Sequence, residues 1–185
     1  MRKLAFFLLC MLLFSGCMGK NEALETVMDL RAKLLANDCV FQTEVTADYG
    51  DKQYIFGMYC EADSRGNVGF RVTSPESIAG IEGHASSDGG TLTFDDTALT
   101  FPLLADGQVT PVSAPYLLIK TLRGGYVRSA GEDGERIRVT IDDSYAEDAL
   151  QLDIWLSEEN VPVRAEILYD GRRILSMEIS EFQIG

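Results

Sequence analysis

Hydrophobic residues recur along this chain with two different periods, and the change between them separates a predicted helix from a long series of predicted strands. From residue 23 to residue 36 apolar side chains follow roughly helical spacing, at Leu24, Val27, Met28, Leu34 and Leu35. Acidic residues lie early in this segment, where they favour a helix N-terminus. The pattern predicts one amphipathic helix, with Asn21 as its N-cap and Asn37-Asp38 at its end.

A period of two begins at Cys39 and predicts a β-hairpin that turns near Gly50. With residues 49 and 50 as a two-residue turn, Phe41 lies opposite Met58, and Cys39 lies opposite Cys60 at a Cα spacing of about 4.5 Å that suits a disulfide. A three-residue loop would shift the register by one and put the two thiols on opposite faces of the sheet. Two alternatives therefore stay open, a Cys39–Cys60 disulfide and two buried thiols.

Further alternation predicts strands on both sides of a long connection. A third strand at residues 68–72 stops at Ser74-Pro75, because proline cannot donate to the ladder. The stretch from residue 75 to residue 90 is expected to hold a short helix and a flexible crossing, since it carries four glycines and few apolar residues. Residues 92–101 then predict another hairpin.

A second helix and five more strands complete the predicted elements. Ser113 is expected to cap a helix that runs to Leu122, with Pro115 in its first turn and Gly124-Gly125 after it. Alternating segments follow at residues 126–130, 136–141 and 150–156. In the last hairpin, residues 161–167 can lie opposite residues 175–179 if residues 169–171 form a three-residue loop with Gly171 left-handed.

These elements predict one α+β domain. It holds a curled antiparallel sheet of roughly nine or ten strands, an N-terminal helix and a helix inserted at mid-chain. A sheet of this size tends to curl into a half-open β-barrel, and two helices are too few to fill its apolar concave face. The expected domain therefore has a concave face on which a ligand could bind.

The first twenty residues have a pattern of their own. Arg2 and Lys3 precede an apolar run of 11 residues, which is too short to cross a membrane as a helix and is typical of a secretory signal peptide. The run closes with Phe14-Ser15-Gly16-Cys17, which resembles the lipobox of bacterial lipoproteins. We therefore expect a signal peptide at residues 1–16, a lipidated tether at residues 17–22 and the domain at residues 23–185. A diacylated or triacylated Cys17 would hold the domain on the extracytoplasmic face of the cell membrane, and a one-membrane host is favoured.

Charge and side-chain chemistry exclude several classes of function. The net charge of −13 would become −15 without Arg2 and Lys3, so no nucleic acid partner is expected. His84 lies beside serines and Asp88 on one predicted loop, where a nucleophile, a base and an orienting acid could not converge. The pairs Asp95-Asp96 and Asp142-Asp143 stand where turns are expected. We expect no enzyme activity, no cofactor and no metal.

Three stretches carry a resemblance to a known family, and they span nearly the whole mature chain. They are residues 74–80 (SPESIAG), residues 113–118 (SAPYLL), and the closing run from Trp155-Leu156 through Val161-Pro162-Val163 to Phe182. The chain resembles the bacterial lipoprotein-sorting carriers of the LolA type and their lipid-anchored relatives, which include mycobacterial glycolipid-binding lipoproteins and a clostridial spore-germination lipoprotein. The resemblance implies a half-barrel whose concave face receives acyl chains of a lipid or lipoprotein. It also implies an alternative, a scaffold for an envelope partner such as a cell-wall hydrolase.

The face of each strand and the family geometry together select a candidate lining for the cavity. The candidates are apolar residues of the predicted strands and of the second helix, namely Phe41, Val45, Tyr54, Phe56, Met58, Phe70, Leu92, Phe94, Phe101, Leu117 and Leu118. The same residues are needed for a packed core whether or not a ligand exists. A tether at Cys17 favours a fixed receptor or scaffold over a diffusing carrier.

Overall fold

The computed structural model describes residues 21–50, 52–94, 97–105, 108–147 and 149–185. The predictions for the signal peptide, for Cys17 and for Asp95-Asp96 lie outside these residues. The helices and strands follow in chain order as α1 Glu22–Ala36, β1 Cys39–Asp48, β2 Gln53–Ala62, β3 Val68–Ser74, β4 Glu82–Ser86, β5 Gly89–Phe94, β6 Thr97–Phe101, β7 Leu104–Ala105, β8 Gln108–Val109, α2 Ala114–Gly124, β9 Tyr126–Asp133, β10 Arg136–Asp142, β11 Gln151–Leu156, β12 Pro162–Tyr169 and β13 Arg172–Ile184.

Eleven of the strands form one antiparallel sheet that curls without closing. Its order is β6-β5-β4-β3-β2-β1-β13-β12-β11-β10-β9, while β7 and β8 pair only with each other. β1 and β13 are therefore neighbours at the centre, and β6 and β9 are the two edges. The predicted α+β half-barrel is confirmed, with both helices on its concave face.

The two helices begin differently, although each begins at the predicted place. The side chain of Asn21 accepts a hydrogen bond from the amide of Leu24 at 3.2 Å, which confirms the predicted N-cap of α1. Ser113 also precedes its helix, but a 3₁₀ turn over Pro111–Ser113 leads into α2 and gives Ser113 helical backbone angles. Its hydroxyl therefore makes no capping bond and is buried without a partner among the described residues.

The first hairpin keeps the predicted faces but not the predicted register. Asp48 pairs with Gln53 across a four-residue turn, so Cys39 lies opposite Ala62 and Cys60 lies opposite Phe41. The Asp48 carboxylate accepts the amide of Gly50 at 2.8 Å and supports this longer turn. Because the shift is by two residues, every side chain stays on its expected face while its partner changes.

Two other predicted connections differ from the structure. The segment after Ser74 holds turns at residues 76–80 and then β4, which joins the sheet in place of a short helix and a flexible crossing. The last hairpin turns on two residues, not three, since Tyr169 pairs with Arg172. Asp170 and Gly171 both have positive φ, at 49° and 71°. Such a turn is typical of Asp-Gly and matches the twist of the strands.

One continuous core lies between the concave face and the two helices. α1 contributes Val27, Leu30 and Leu34, and nearly all of α2 from Ala114 to Leu122 is buried. No helix in the described part of the chain is long and apolar enough to cross a membrane.

Candidate functional site

A row of side chains crosses the concave face from the centre of the sheet to the β6 edge. Strand pairing aligns its members as Phe41, Cys60, Phe70, Gly83, Leu92 and Leu99. The first three are at most 5% exposed, whereas Leu99 is 63% exposed. The apolar face thus continues past the part of the sheet that the helices cover.

The covered part holds seven of the eleven candidate lining residues. They are all at most 7% exposed and belong to the continuous core, namely Phe41, Val45, Phe56, Met58, Phe70, Leu117 and Leu118. Phe41 also stacks on Phe182, with ring centroids 5.3 Å apart. In this conformation these side chains pack against one another and against the helices, so a ligand could touch them only after the helices moved.

Two arginines hold the helices in place. Arg31 of α1 donates from Nε to the Leu122 carbonyl at 2.7 Å and from Nη2 to the Gly125 carbonyl at 2.8 Å. These carbonyls end α2, where a positive charge also favours the helix dipole. Arg123 of α2 donates to the carbonyls of Asp63 and Ser64, in the turn between β2 and β3. The two helices, which together form the cover over the concave face, are therefore hydrogen-bonded to each other and to the turn between β2 and β3.

The uncovered part is an apolar strip on the concave side of β5 and β6. We define the apolar strip as Leu92, Phe94, Leu99 and Phe101. Leu92 and Phe101 are partly buried against the core, and Phe94 and Leu99 are 54% and 63% exposed. Three of these four are candidate lining residues, and Leu99 is an addition that the strand pairing supplies because it lies opposite Leu92.

Two glycines let aromatic rings approach the backbone closely at this end of the sheet. A Cβ on Gly83 would come within 2.6 Å of the Phe70 ring and 2.4 Å of the Thr91 carbonyl. A Cβ on Gly90 would come within 2.1 Å of the Phe101 ring. Glycine in a strand often marks such a close approach. The rings fill the space that a side chain at Gly83 or Gly90 would otherwise occupy.

The remaining candidate, Tyr54, lies at the N-terminal end of β2, next to the turn that follows β1. It is 51% exposed and meets Tyr49 edge to face, with ring centroids 6.0 Å apart. A cavity of about 220 Å³ opens nearby, lined by Tyr49, Val109, Tyr169, Arg172, Ile174, Leu175 and Asp48. Ligand sites usually exceed about 300 Å³, so this cavity as it stands is too small for a long chain.

The convex side of β10–β13 carries an ordered polar cluster that sequence reasoning missed. Trp155 lies between Arg138 and Arg164, whose guanidinium carbons are 5.2 and 5.1 Å from the ring centroid. Its indole donates to the Asp133 carboxylate at 2.7 Å. Strand alternation places Arg138, Arg164 and Asp133 on the outer face together with Trp155. The pattern of polar positions in the sequence therefore already indicated this cluster.

Beneath Arg138 lies a buried carboxylate. Asp153 is 2% exposed, accepts from Arg138 at 2.6 Å and accepts from the Thr140 hydroxyl at 2.6 Å. On the other side of the cluster, Glu166 accepts from both Arg164 and Arg173. Charge-assisted pairs of this kind fix side-chain geometry, so the cluster is an ordered surface.

Cys39 and Cys60 are free, buried thiols in this structure. Burial raises the pKa of Cys39 to about 11, and burial together with the nearby Cys39 raises the pKa of Cys60 further. A thiol that stays protonated is a weak nucleophile. Their diagonal placement also leaves their Cβ atoms farther apart than a disulfide requires unless the backbone moves.

The other polar residues singled out in the sequence lie on strands and turns. His84 is an exposed residue of β4, not of a loop, and its Nδ1 is 2.6 Å from the hydroxyl of Thr91 on β5. Asp143 accepts the amide of Leu150 and pairs with Lys120 at 3.3 Å, as a turn residue would. The structure does not bring these residues together.

No protein-family model and no curated protein matches this sequence. Several solved structures are similar to it in fold. A LolA superfamily protein from Nitrosomonas europaea has 9% identity and a TM-score of 0.48, over 88% of this chain and 93% of that one. A putative outer membrane lipoprotein-sorting protein domain from Vibrio parahaemolyticus has 10% identity and a TM-score of 0.48, over 88% and 92%. A chain from the structure of the CwlD amidase in complex with the GerS lipoprotein, from Clostridioides difficile, matches with 12% identity and a TM-score of 0.43, over 86% and 94%. LolA-type proteins, which the sequence resembles, are thus among the solved structures that are similar to this chain.

Proposed function

We propose that this chain is a lipid-anchored, non-enzymatic binding protein of the cell envelope, which holds acyl chains of a lipid or lipoprotein on its apolar strip. The observation that carries the proposal is the exposure of Phe94 and Leu99, at 54% and 63%, on the same face as the core. A ligand on this strip needs no displacement of the helices, unlike one in the covered part of the face.

The energetics of the strip suit an acyl chain. A fully buried methylene contributes about 0.8 kcal/mol and one that lies on an open strip about half of that, so roughly ten methylenes would offset a weak binding cost of about 4 kcal/mol. The strip carries no charge, which also suits an apolar chain. A tether at Cys17 would keep it within reach of the membrane that supplies such chains.

The test of ligand binding is photolabelling of the anchored protein in its own membranes with a fatty acid that carries a diazirine and an alkyne. Phe94→Asp should lose most of the label, because a carboxylate on the strip repels apolar chains. The matched control is Ile55→Asp on the convex side of β2, since Ile55 is exposed to a similar extent, 51%. Equal labelling of the two variants would refute the proposed site.

The anchor is tested separately. Cys17→Ser should abolish incorporation of labelled palmitate and release the protein from the membrane fraction. Retention of the label by this variant would show that Cys17 is not the lipidated residue.

The Trp155 cluster supports a second candidate function, docking of an envelope protein. Trp and Arg are the residues most enriched at binding hot spots, and here they are already ordered by the carboxylates around them. A crosslinking pulldown from the native host should recover a reproducible partner that Trp155→Ala loses and Ile55→Asp retains. A partner recovered equally with both variants, or none at all, would remove this candidate.

A further inference from the structure

The two edges of the sheet differ in how they are protected. β9 carries Arg128, Glu132 and Asp133, and α1 packs on it, with the Asn21 side chain donating to the Ala130 carbonyl at 3.4 Å. β6 reads Thr-Ala-Leu-Thr-Phe and is exposed along four of its five residues. Natural proteins protect exposed edges with charge or cover, because an unpaired ladder attracts another strand. Within the described residues, β6 has neither a charge of its own nor a covering element.

The pairing of β6 with β5 determines which of its backbone groups face outward. Phe94 pairs with Thr97, and only two residues separate them, so this closing pair must exchange its own hydrogen bonds. Alternation then directs the backbone N–H and C=O groups of Thr97, Leu99 and Phe101 toward β5. The N–H and C=O groups of Ala98 and Thr100 point away from the sheet and are available to a further strand.

We propose that β6 pairs with β6 of a second copy of this chain, antiparallel, with Leu99 on the two-fold axis. In this register Ala98 of each copy exchanges both hydrogen bonds with Thr100 of the other, which satisfies all the outward groups. Leu99 meets Leu99 as a non-hydrogen-bonded pair, and Thr97 meets Phe101. The interface is isologous, as in most homodimers.

Charge favours a second copy on this edge. Each mature chain would carry −15, so two copies repel one another wherever acidic surfaces meet. β5 and β6 hold no charged residue.

The size of the contact indicates where the pairing occurs. One five-residue edge buries much less than the roughly 1,000 Å² of a stable interface, so the dimer should be weak in dilute solution. Anchors on a shared membrane would raise the effective concentration of the two edges. The pairing would also place the two apolar strips side by side, with Leu99 of both copies in one site, and in this respect the inference rests on the proposed function.

Disulfide trapping in membranes tests the register. Leu99→Cys in the full, anchored chain should give a product of twice the monomer mass on mild oxidation, because close Cα atoms at a non-hydrogen-bonded pair suit a disulfide. Thr97→Cys alone should give none, but membranes that hold both Thr97→Cys and Phe101→Cys copies should give the mixed dimer. The wild type and Ser129→Cys on the β9 edge are the controls, since Cys39 and Cys60 are buried.

A proline distinguishes edge pairing from chance collision. Thr100→Pro removes an outward N–H but leaves the pairing with β5, so it should abolish the Leu99→Cys product without loss of the folded protein. A product that persists with Thr100→Pro, a Leu99→Cys yield no greater than that of Ser129→Cys, or a crosslink to a different protein would each overturn the proposal. None of these readouts depends on lipid binding, so either proposal can fail alone.

Discussion

The packing of α1 and α2 over the concave face should depend on Arg31, and the substitution Arg31→Met tests this dependence. Methionine keeps the aliphatic stem but removes both hydrogen bonds to the end of α2, at 2.7 and 2.8 Å. It also leaves the Leu122 and Gly125 carbonyls without these donors, and both residues are buried. Burial lowers the pKa of Arg31, yet an arginine stays charged in a protein.

The magnitude follows from those two bonds. A hydrogen bond to a charged group contributes about 1.5–3 kcal/mol, and Arg31 is only half-buried, so the lower half of that range applies. We expect Arg31→Met to lower the free energy of unfolding by about 3 kcal/mol, or to lower Tm by roughly 6–12 °C for a domain of this size. Arg31→Lys should recover part of the loss.

Urea unfolding followed by Trp155 fluorescence and by circular dichroism measures this difference. The control is Arg65→Met, which removes an exposed arginine from a turn and should change stability by less than about 0.5 kcal/mol. Loss of the two Arg31 hydrogen bonds should also raise binding of a hydrophobic dye to the native protein, because the covered face becomes accessible. If Arg31→Met is no less stable than Arg65→Met, then Arg31 does not hold α1 and α2 over the concave face.

Four further predictions concern the core and the sheet. Asp153→Asn should lower the free energy of unfolding by about 1–3 kcal/mol because it unpairs Arg138, and an unchanged urea midpoint would contradict this ion pair. Cys39 and Cys60 should resist a thiol reagent at neutral pH until the chain unfolds, and labelling of the native protein would contradict their burial. The pKa of Cys39 rises from 9.0 to about 11 on folding, so its contribution to stability is complete below pH 9.0 and is lost as pH rises through about 11. Wild-type Tm should fall over that window more steeply than that of Cys39→Ala. Gly83→Ala should cost about 1–3 kcal/mol, because the new Cβ meets a backbone carbonyl at 2.4 Å, and a variant as stable as wild type in urea would refute the close approach.

Alternation predicted the faces of the strands better than their partners. The first hairpin shows why, since a shift of two residues moved Cys60 from Cys39 to Phe41 without changing the face of either. Hydrophobic pattern repeats every two residues and cannot distinguish registers that differ by two. Local turn chemistry decided the register, through the Asp48 side chain in one hairpin and the Asp170-Gly171 pair in the other. The second of these signals was legible in the sequence.

The candidate site was predictable only as a list of apolar side chains. Phe70 and Phe94 carry the same pattern signal, yet they are 5% and 54% exposed. What separates them is the position of α2, which packs on β2 and β3, whereas Phe94 at the end of β5 stays exposed. Helix placement arises from contacts far apart along the chain, such as Arg31 with Gly125, and no local periodicity encodes them.

The sequence by itself determined the α+β class, the two helices and the face of most strands, because periods of 3.6 and 2 follow directly from backbone geometry. The lipobox resemblance at Cys17 is likewise local, and lipidation there stays a prediction. Only the tertiary structure decided that the apolar face is partly covered, that Trp155 is held between two arginines, and that β6 is an exposed edge of the sheet. Each of these depends on which distant segments meet when the sheet curls, and that choice is made by packing of the whole domain.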